Sequence, residues 1–375
     1  MQLGLTTSQF YMAYTAVAIL PIVMCMVGGT LADRFGVKWT LGAGAAIATA
    51  AALLRLTATG FWPFFLFMAL LGVGYGVMFP NLPKFVAVWF PAKQVAIATG
   101  IYMTGAVATA TALSVGPAFG SWQAAVIVMG ILMAVATVLW FILARERPVE
   151  VAGVRVLGVP FREGLAVAPK SKNMWWTGVS YFFTVGVIMA WIGGLPHFLE
   201  VSKGMSPSAA SMIPALSVLG FLVGTLFWPI LSEKVGVIKP FYMVGVVMTG
   251  LTGVLVYYTA PGILCWVFGI LPGFFARGGP ALIMQLPIHL PEFGPRYAGN
   301  AGGLLFSVYH VGSFVLLPFM FTPIWNTFGA YPAAWFLAGS LIVAAALFVP
   351  VLEVGRKARG AREKQLVEAV EAPMA

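Results

Sequence analysis

"GGTLADRFGVKW" (residues 28–39) places two glycines, an acidic–basic pair and a third glycine between two long apolar stretches. Asp33, Arg34 and Lys38 are charges that a hydrocarbon core would reject, and Gly36 permits a tight reversal of the chain. The segment therefore reads as a short loop between two membrane-spanning helices, at 9–32 and 37–58. Outward from it, apolar runs of about 20 residues recur, each long enough to cross a bilayer. Further spans are expected at 62–89, 94–118, 121–144, 174–199, 207–232, 237–259, 262–290, 297–325 and 331–352, giving eleven. Of 375 residues, 61% are hydrophobic and only 9% charged, against about 25% charged in a soluble domain. The fold class is all-α, a polytopic membrane protein. Cys25 and Cys265 both lie inside apolar runs, where they read as small packing residues.

The net charge of +10 is a topology signal rather than a nucleic-acid footprint. Basic residues gather on alternate connections: Arg34 and Lys38, Lys93, the segment from Arg145 to Lys172, Lys234 and Lys239, Arg296, and the tail from Arg356. By the positive-inside rule these connections and the C-terminus are cytoplasmic, as in a multi-pass plasma (inner) membrane protein.

The longest polar interval divides the chain into an N-terminal bundle (1–145), a central cytoplasmic loop (146–173), a C-terminal bundle (174–352) and a cytoplasmic tail (353–375). A shift of 200 residues aligns the halves. "GTLADRFGVK" from Gly29 falls on "PILSEKVGVI" from Pro229, so Asp33-Arg34 becomes Glu233-Lys234 and Gly36 falls on Gly236. Pro80 and Pro91 fall on Pro280 and Pro291. Internal duplication of this kind is a feature of transporter folds. The same shift puts the first-half counterpart of the helix at 174–199 before residue 1. The expectation is five helices in the first bundle, with its first helix missing, and six in the second.

The stretch 28–39 resembles the loop signature between the second and third helices of the major facilitator superfamily, with Gly29, Leu31, Asp33, Arg34, Gly36 and Lys38 in place. The resemblance implies two six-helix bundles, here with eleven of the usual twelve helices. It also implies alternating access gated by Gly29, Asp33, Arg34, Gly36 and Lys38, and by the degenerate copy Glu233, Lys234 and Gly236. "GVGYGVMFPNLPKFVAVWFP" (72–91) looks weakly like the nitrate/nitrite and cyanate porter branches. The arginines that nitrate porters place in two helices are absent from 9–32 and 207–232, which argues against nitrate itself. The resemblance favours a monomer.

All eleven acidic residues lie outside span interiors, so the usual intramembrane carboxylate of a proton-coupled carrier is missing from these spans. The residues suggest no metal cluster and no nucleophile–base pair, hence no cofactor and no enzyme. Arg277 stands near the middle of 262–290, where a guanidinium costs about 2.5–3.5 kcal/mol unless it meets a cavity or a partner. It reads either as an anion-binding group or as a pin on carbonyls loosened by the following Gly-Gly-Pro. His310, mid-helix in 297–325 with Asn300 and Ser307 on its face, reads as a substrate contact, a titrating group or a packing residue. Asn81 and Lys84, three apart, and Tyr181 and Thr184, three apart, are further candidate contacts.

The resemblance implies a secondary transporter, and the intramembrane basic residues point to a small anionic solute, with the lipid bilayer and a small molecule as partners and no nucleic acid. Proton-coupled drug efflux and a non-transporting fragment stand as alternatives.

Overall fold

A computed structural model of the protein describes residues 4–90, 119–146, 168–276 and 294–354, with the single positions 98, 102, 105, 282, 283, 286, 290 and 357. Within these, the side chains of Gly29, Thr30, Asp33, residues 83, 84, 87 and 88, Ala168 and residues 294–300 lie outside the description. The helices are α1 (Thr7–Thr15), α2 (Pro21–Phe35), α3 (Val37–Leu54), α4 (Phe61–Met78), α5 (Leu82–Trp89) and α6 (Trp122–Leu143) in the first half. The second half has α7 (Lys172–Lys203), α8 (Pro207–Val235), α9 (Lys239–Tyr258), α10 (Ile263–Ala276), α11 (Gly294–Val315), α12 (Thr322–Phe328) and α13 (Ala330–Phe348). Among the described residues, nine helical stretches are long and apolar enough to cross a membrane. The expected span at 94–118 falls almost wholly outside the described residues, and α10 is the described part of 262–290.

Three expected spans are broken rather than straight, and each break has a chemical cause. Pro21 separates α1 from α2 through a 3₁₀ turn at Ala16–Ala18. A 3₁₀ turn at Phe79–Asn81 separates α4 from α5, with Pro80 inside it and Pro83 just after. Asn81 repairs that break: its buried Nδ2 donates to the Val77 carbonyl (2.9 Å) and to the Gly28 carbonyl of α2 (2.8 Å). A π-helical turn at Leu316–Phe321 carries Pro318 between α11 and α12, and the Thr322 hydroxyl donates to the Leu317 carbonyl there (2.7 Å).

Packing follows the repeat. In the first bundle α3 lies between α4 and α6, and α2 lies along α4. In the second, α7 packs on α8, α11 and α13, while α9 joins α10 to α13. A buried polar knot ties three helices together: the Tyr242 hydroxyl (α9) bonds Ser180 Oγ (2.8 Å) and Thr184 Oγ1 (3.0 Å) of α7, and Ser180 donates to the Ala344 carbonyl of α13 (2.6 Å). The main cluster of buried apolar side chains belongs to the second bundle and takes in Tyr11 of α1. α6 stands apart, with Gly130 as its one buried residue and Ile131, Leu132, Val138, Ile142 and Leu143 facing outward.

Candidate functional site

The two bundles meet along α1, α2 and α4 on one side and α7, α11 and the π turn on the other. At one end of this seam α1 presses two tyrosines against α7. A Cβ at Gly193 would stand 3.0 Å from Tyr14 Cε1, and one at Gly194 would stand 3.2 Å from Phe321 and 4.0 Å from the Tyr11 hydroxyl. Midway, Ser307 Oγ of α11 donates across the seam to the Ile22 carbonyl of α2 (2.7 Å). Beside it, Phe79 meets Phe306 edge-on (5.0 Å between centroids), and Tyr75 of α4 meets His310 edge-on (5.7 Å).

His310 is 2% exposed. Its Nδ1 lies 2.7 Å from the Phe306 carbonyl, which can only accept, so Nδ1 is the protonated nitrogen. Nε2 has no hydrogen-bond partner among the described residues. Tyr309 meets the same ring edge-on at 4.6 Å and is tilted against Tyr181 of α7 at 5.4 Å, so Tyr181 reaches the seam through Tyr309.

The other expected contacts are spent elsewhere. Thr184 is bonded to the Ser180 carbonyl (2.9 Å) and to Tyr242, inside the second bundle. Asn81 repairs the break in its own span, although its Oδ1 is buried without a partner. Arg277 lies outside the described residues, as do the side chains of Lys84 and Asn300. A cavity of about 20 Å³, lined by Trp191, Thr249, Tyr257 and Pro272, lies within the second bundle, away from the seam.

At the loop between α2 and α3 the structure adds a residue that the sequence reading left unassigned. The Glu146 carboxylate, just beyond α6, accepts from the Val37 N–H (3.0 Å) and the Lys38 N–H (2.9 Å), capping the N-terminus of α3. Trp140 Nε1 also donates to the Lys38 carbonyl (3.0 Å). Gly36 makes this possible: it has φ +86° and ψ 157°, and a Cβ there would stand 2.7 Å from Glu146 Cδ. The second half repeats the device. Glu353, beyond α13, accepts at Oε1 from the Ile238 N–H (3.0 Å) and the Lys239 N–H (3.2 Å), while Gly236 turns the chain with φ +85°. Arg34 lies over the Phe35 ring and Lys38 over the Trp39 ring, both at 5.3 Å, and Glu233 and Lys234 are exposed. Gly29 and Asp33 sit in the last turns of α2, and their surroundings lie outside the described residues.

Two bundles of membrane-crossing helices, related by an internal repeat and meeting at a seam with a buried polar group, define a transporter rather than an enzyme. The comparisons agree: the Major Facilitator Superfamily family model matches residues 1–317, and the chain belongs to that family. It is 26% identical to a probable sulfoacetate transporter of Cupriavidus necator, over 94% of this chain and 88% of that protein. It is 26% identical to the nitrite extrusion protein of Bacillus subtilis, over 82% of this chain and 73% of the relative. It is 30% identical to a 3-(3-hydroxy-phenyl)propionate transporter of Escherichia coli, over 70% and 64% respectively. The chain is thus a multi-pass membrane protein that moves a small solute.

Proposed function

We propose that the protein carries a small oxyanion across the plasma membrane as a monomer, by alternating exposure of a site on the seam between its two bundles. The observation that carries this reading is the sign of the charge within the spans. Arg277 and His310 stand in span interiors, whereas every acidic residue lies outside them. A carrier with that asymmetry lowers the cost of desolvating an anion and offers nothing to a cation. The names of the three relatives agree in chemistry: sulfoacetate, nitrite and an aryl propionate all carry an oxyanion. In this reading Arg277 supplies the standing attraction, and His310, with Tyr309 and Tyr181 packed beside it, contacts the solute at the seam. Lys84 attracts anions at the cytoplasmic mouth. The loop bearing Gly29, Asp33, Arg34, Gly36 and Lys38, with Glu233, Lys234 and Gly236, gates the cytoplasmic side, where the C-terminus also lies.

The test is uptake by the purified protein in liposomes, with sulfoacetate, nitrite and 3-(3-hydroxyphenyl)propionate as probes. At least one probe is expected to exchange, and the others to compete. Arg277→Gln is expected to reduce exchange to background while inserting normally. Undiminished exchange in that variant refutes the role of Arg277. Inhibition by a lipophilic cation but by none of the oxyanions refutes the anion reading.

A further inference from the structure

The His310 ring is buried at the seam with one nitrogen committed and the other open. Because Nδ1 donates its proton to the Phe306 carbonyl, the neutral ring presents a bare lone pair at Nε2. A second proton has one place to go, and the ring then becomes a cation in a dry site. Such a charge is costly unless a counter-charge arrives with it.

We infer that His310 is the proton-coupling group of the carrier: Nε2 takes up one proton together with each oxyanion, which makes the protein a proton–anion symporter. The inference rests on the anion reading above. The proton comes from water on the side where the anion enters and is released with the anion on the other side, so the ring returns to its neutral form. The linkage is reciprocal: a bound oxyanion favours the imidazolium, and the imidazolium favours the oxyanion. This role also accounts for a proton site in spans whose interiors hold no carboxylate.

The groups around the ring suit the task. Among the described residues, the titratable side chains that face it are Tyr75 from α4 and Tyr309 from its own helix. Tyr181 from α7 packs on Tyr309, and α2 carries the buried Cys25 near the Ser307–Ile22 contact. None of these supplies a standing negative charge at neutral pH, so the counter-ion is left to the substrate. Tyr75 belongs to the first bundle and His310 to the second, so the ring sits where the bundles part.

The experiment compares wild type with His310→Gln in liposomes loaded with a pH-sensitive dye. Two readings are taken for sulfoacetate: counterflow at equal pH, which needs no net proton movement, and acidification of the lumen as sulfoacetate enters. Wild type is expected to acidify the lumen, and an inward gradient of one pH unit to raise initial uptake at least fivefold. His310→Gln is expected to weaken counterflow, since the ring belongs to the site, and to lose both acidification per sulfoacetate taken up and gradient stimulation.

Acidification retained in His310→Gln overturns the inference, as does wild-type counterflow without acidification; both leave the anion reading intact. Absence of counterflow in wild type defeats the anion reading for this probe, and the inference with it. A readout that does not depend on the His310 variant uses His197→Gln/His289→Gln, which leaves His310 as the single histidine. Its ring nitrogens, followed by solid-state NMR at fixed pH, are expected to show a bare Nε2 without sulfoacetate and a protonated Nε2 at saturation. An Nε2 that stays bare at saturation overturns the inference.

Discussion

The meeting of Gly36 with Glu146 can be tested by a double-mutant cycle. Gly36 adopts φ +86° and ψ 157°, a region open essentially to glycine alone, so an alanine there costs about 1–3 kcal/mol in backbone strain. Its Cβ would also stand 2.7 Å from Glu146 Cδ and 2.8 Å from Oε2, so the carboxylate must leave the α3 N-terminus. Loss of a side-chain cap costs about 1 kcal/mol, toward the low end of its range because Glu146 is exposed. Gly36→Ala alone should therefore cost about 2–4 kcal/mol and Glu146→Ala about 1 kcal/mol. In the Glu146→Ala background the alanine at 36 meets no carboxylate, and its cost falls to the backbone part. The pair should be sub-additive by about 1 kcal/mol. The assay is thermal unfolding of the four proteins in one detergent, where 1 kcal/mol corresponds to about 2–4 °C in a bundle of this size. Costs that add within about 0.3–0.5 kcal/mol would refute the account of Gly36 as the niche for the cap.

Two further outcomes follow from the packing. Tyr242→Phe keeps the ring and removes the hydroxyl shared by Ser180 and Thr184. Both partners retain a carbonyl acceptor, so the expected loss is about 1–2 kcal/mol, read as a lower unfolding temperature with transport retained. Ser307→Ala removes the hydrogen bond to the Ile22 carbonyl across the seam. That bond is worth about 1 kcal/mol, so its loss should move the population away from this arrangement about fivefold. Cross-linking of cysteines placed at Ser8 and Asn326, whose side chains lie 3.4 Å apart, reports that population; an unchanged yield would contradict the role given to Ser307.

The ends of two helices were readable because charge is costly in a hydrocarbon core: Asp33-Arg34 and Glu233-Lys234 mark the last turns of α2 and α8 whatever packs around them. The broken spans were half readable. Pro21, Pro80 and Pro318 show where a donor is missing, but not that the side chains of Asn81 and Thr322 donate to carbonyls of the broken turns. His310 was legible as an ionisable residue in a span, since such residues are costly there. Thr184 illustrates the opposite case. Its spacing from Tyr181 says only that both share a face, whereas its partner Tyr242 is set by the packing of another helix. Glu146 and Glu353 went unassigned because they do not coincide at the 200-residue shift that aligns the loops they cap, although each follows the last helix of its half.

The outward face of α6 carries a consequence for the membrane itself. Its 22 residues make a rod of about 33 Å, close to the ~30 Å hydrocarbon thickness of an ordinary bilayer. Lipid is the chief solvent of this rod, so a thinner bilayer acts on it by tilt. The end near Trp140 and Glu146 is fastened to the start of α3, and tilt therefore pulls on the cap. Acyl-chain length thus becomes a physical variable of this carrier, one to vary alongside pH and substrate when its rate is measured.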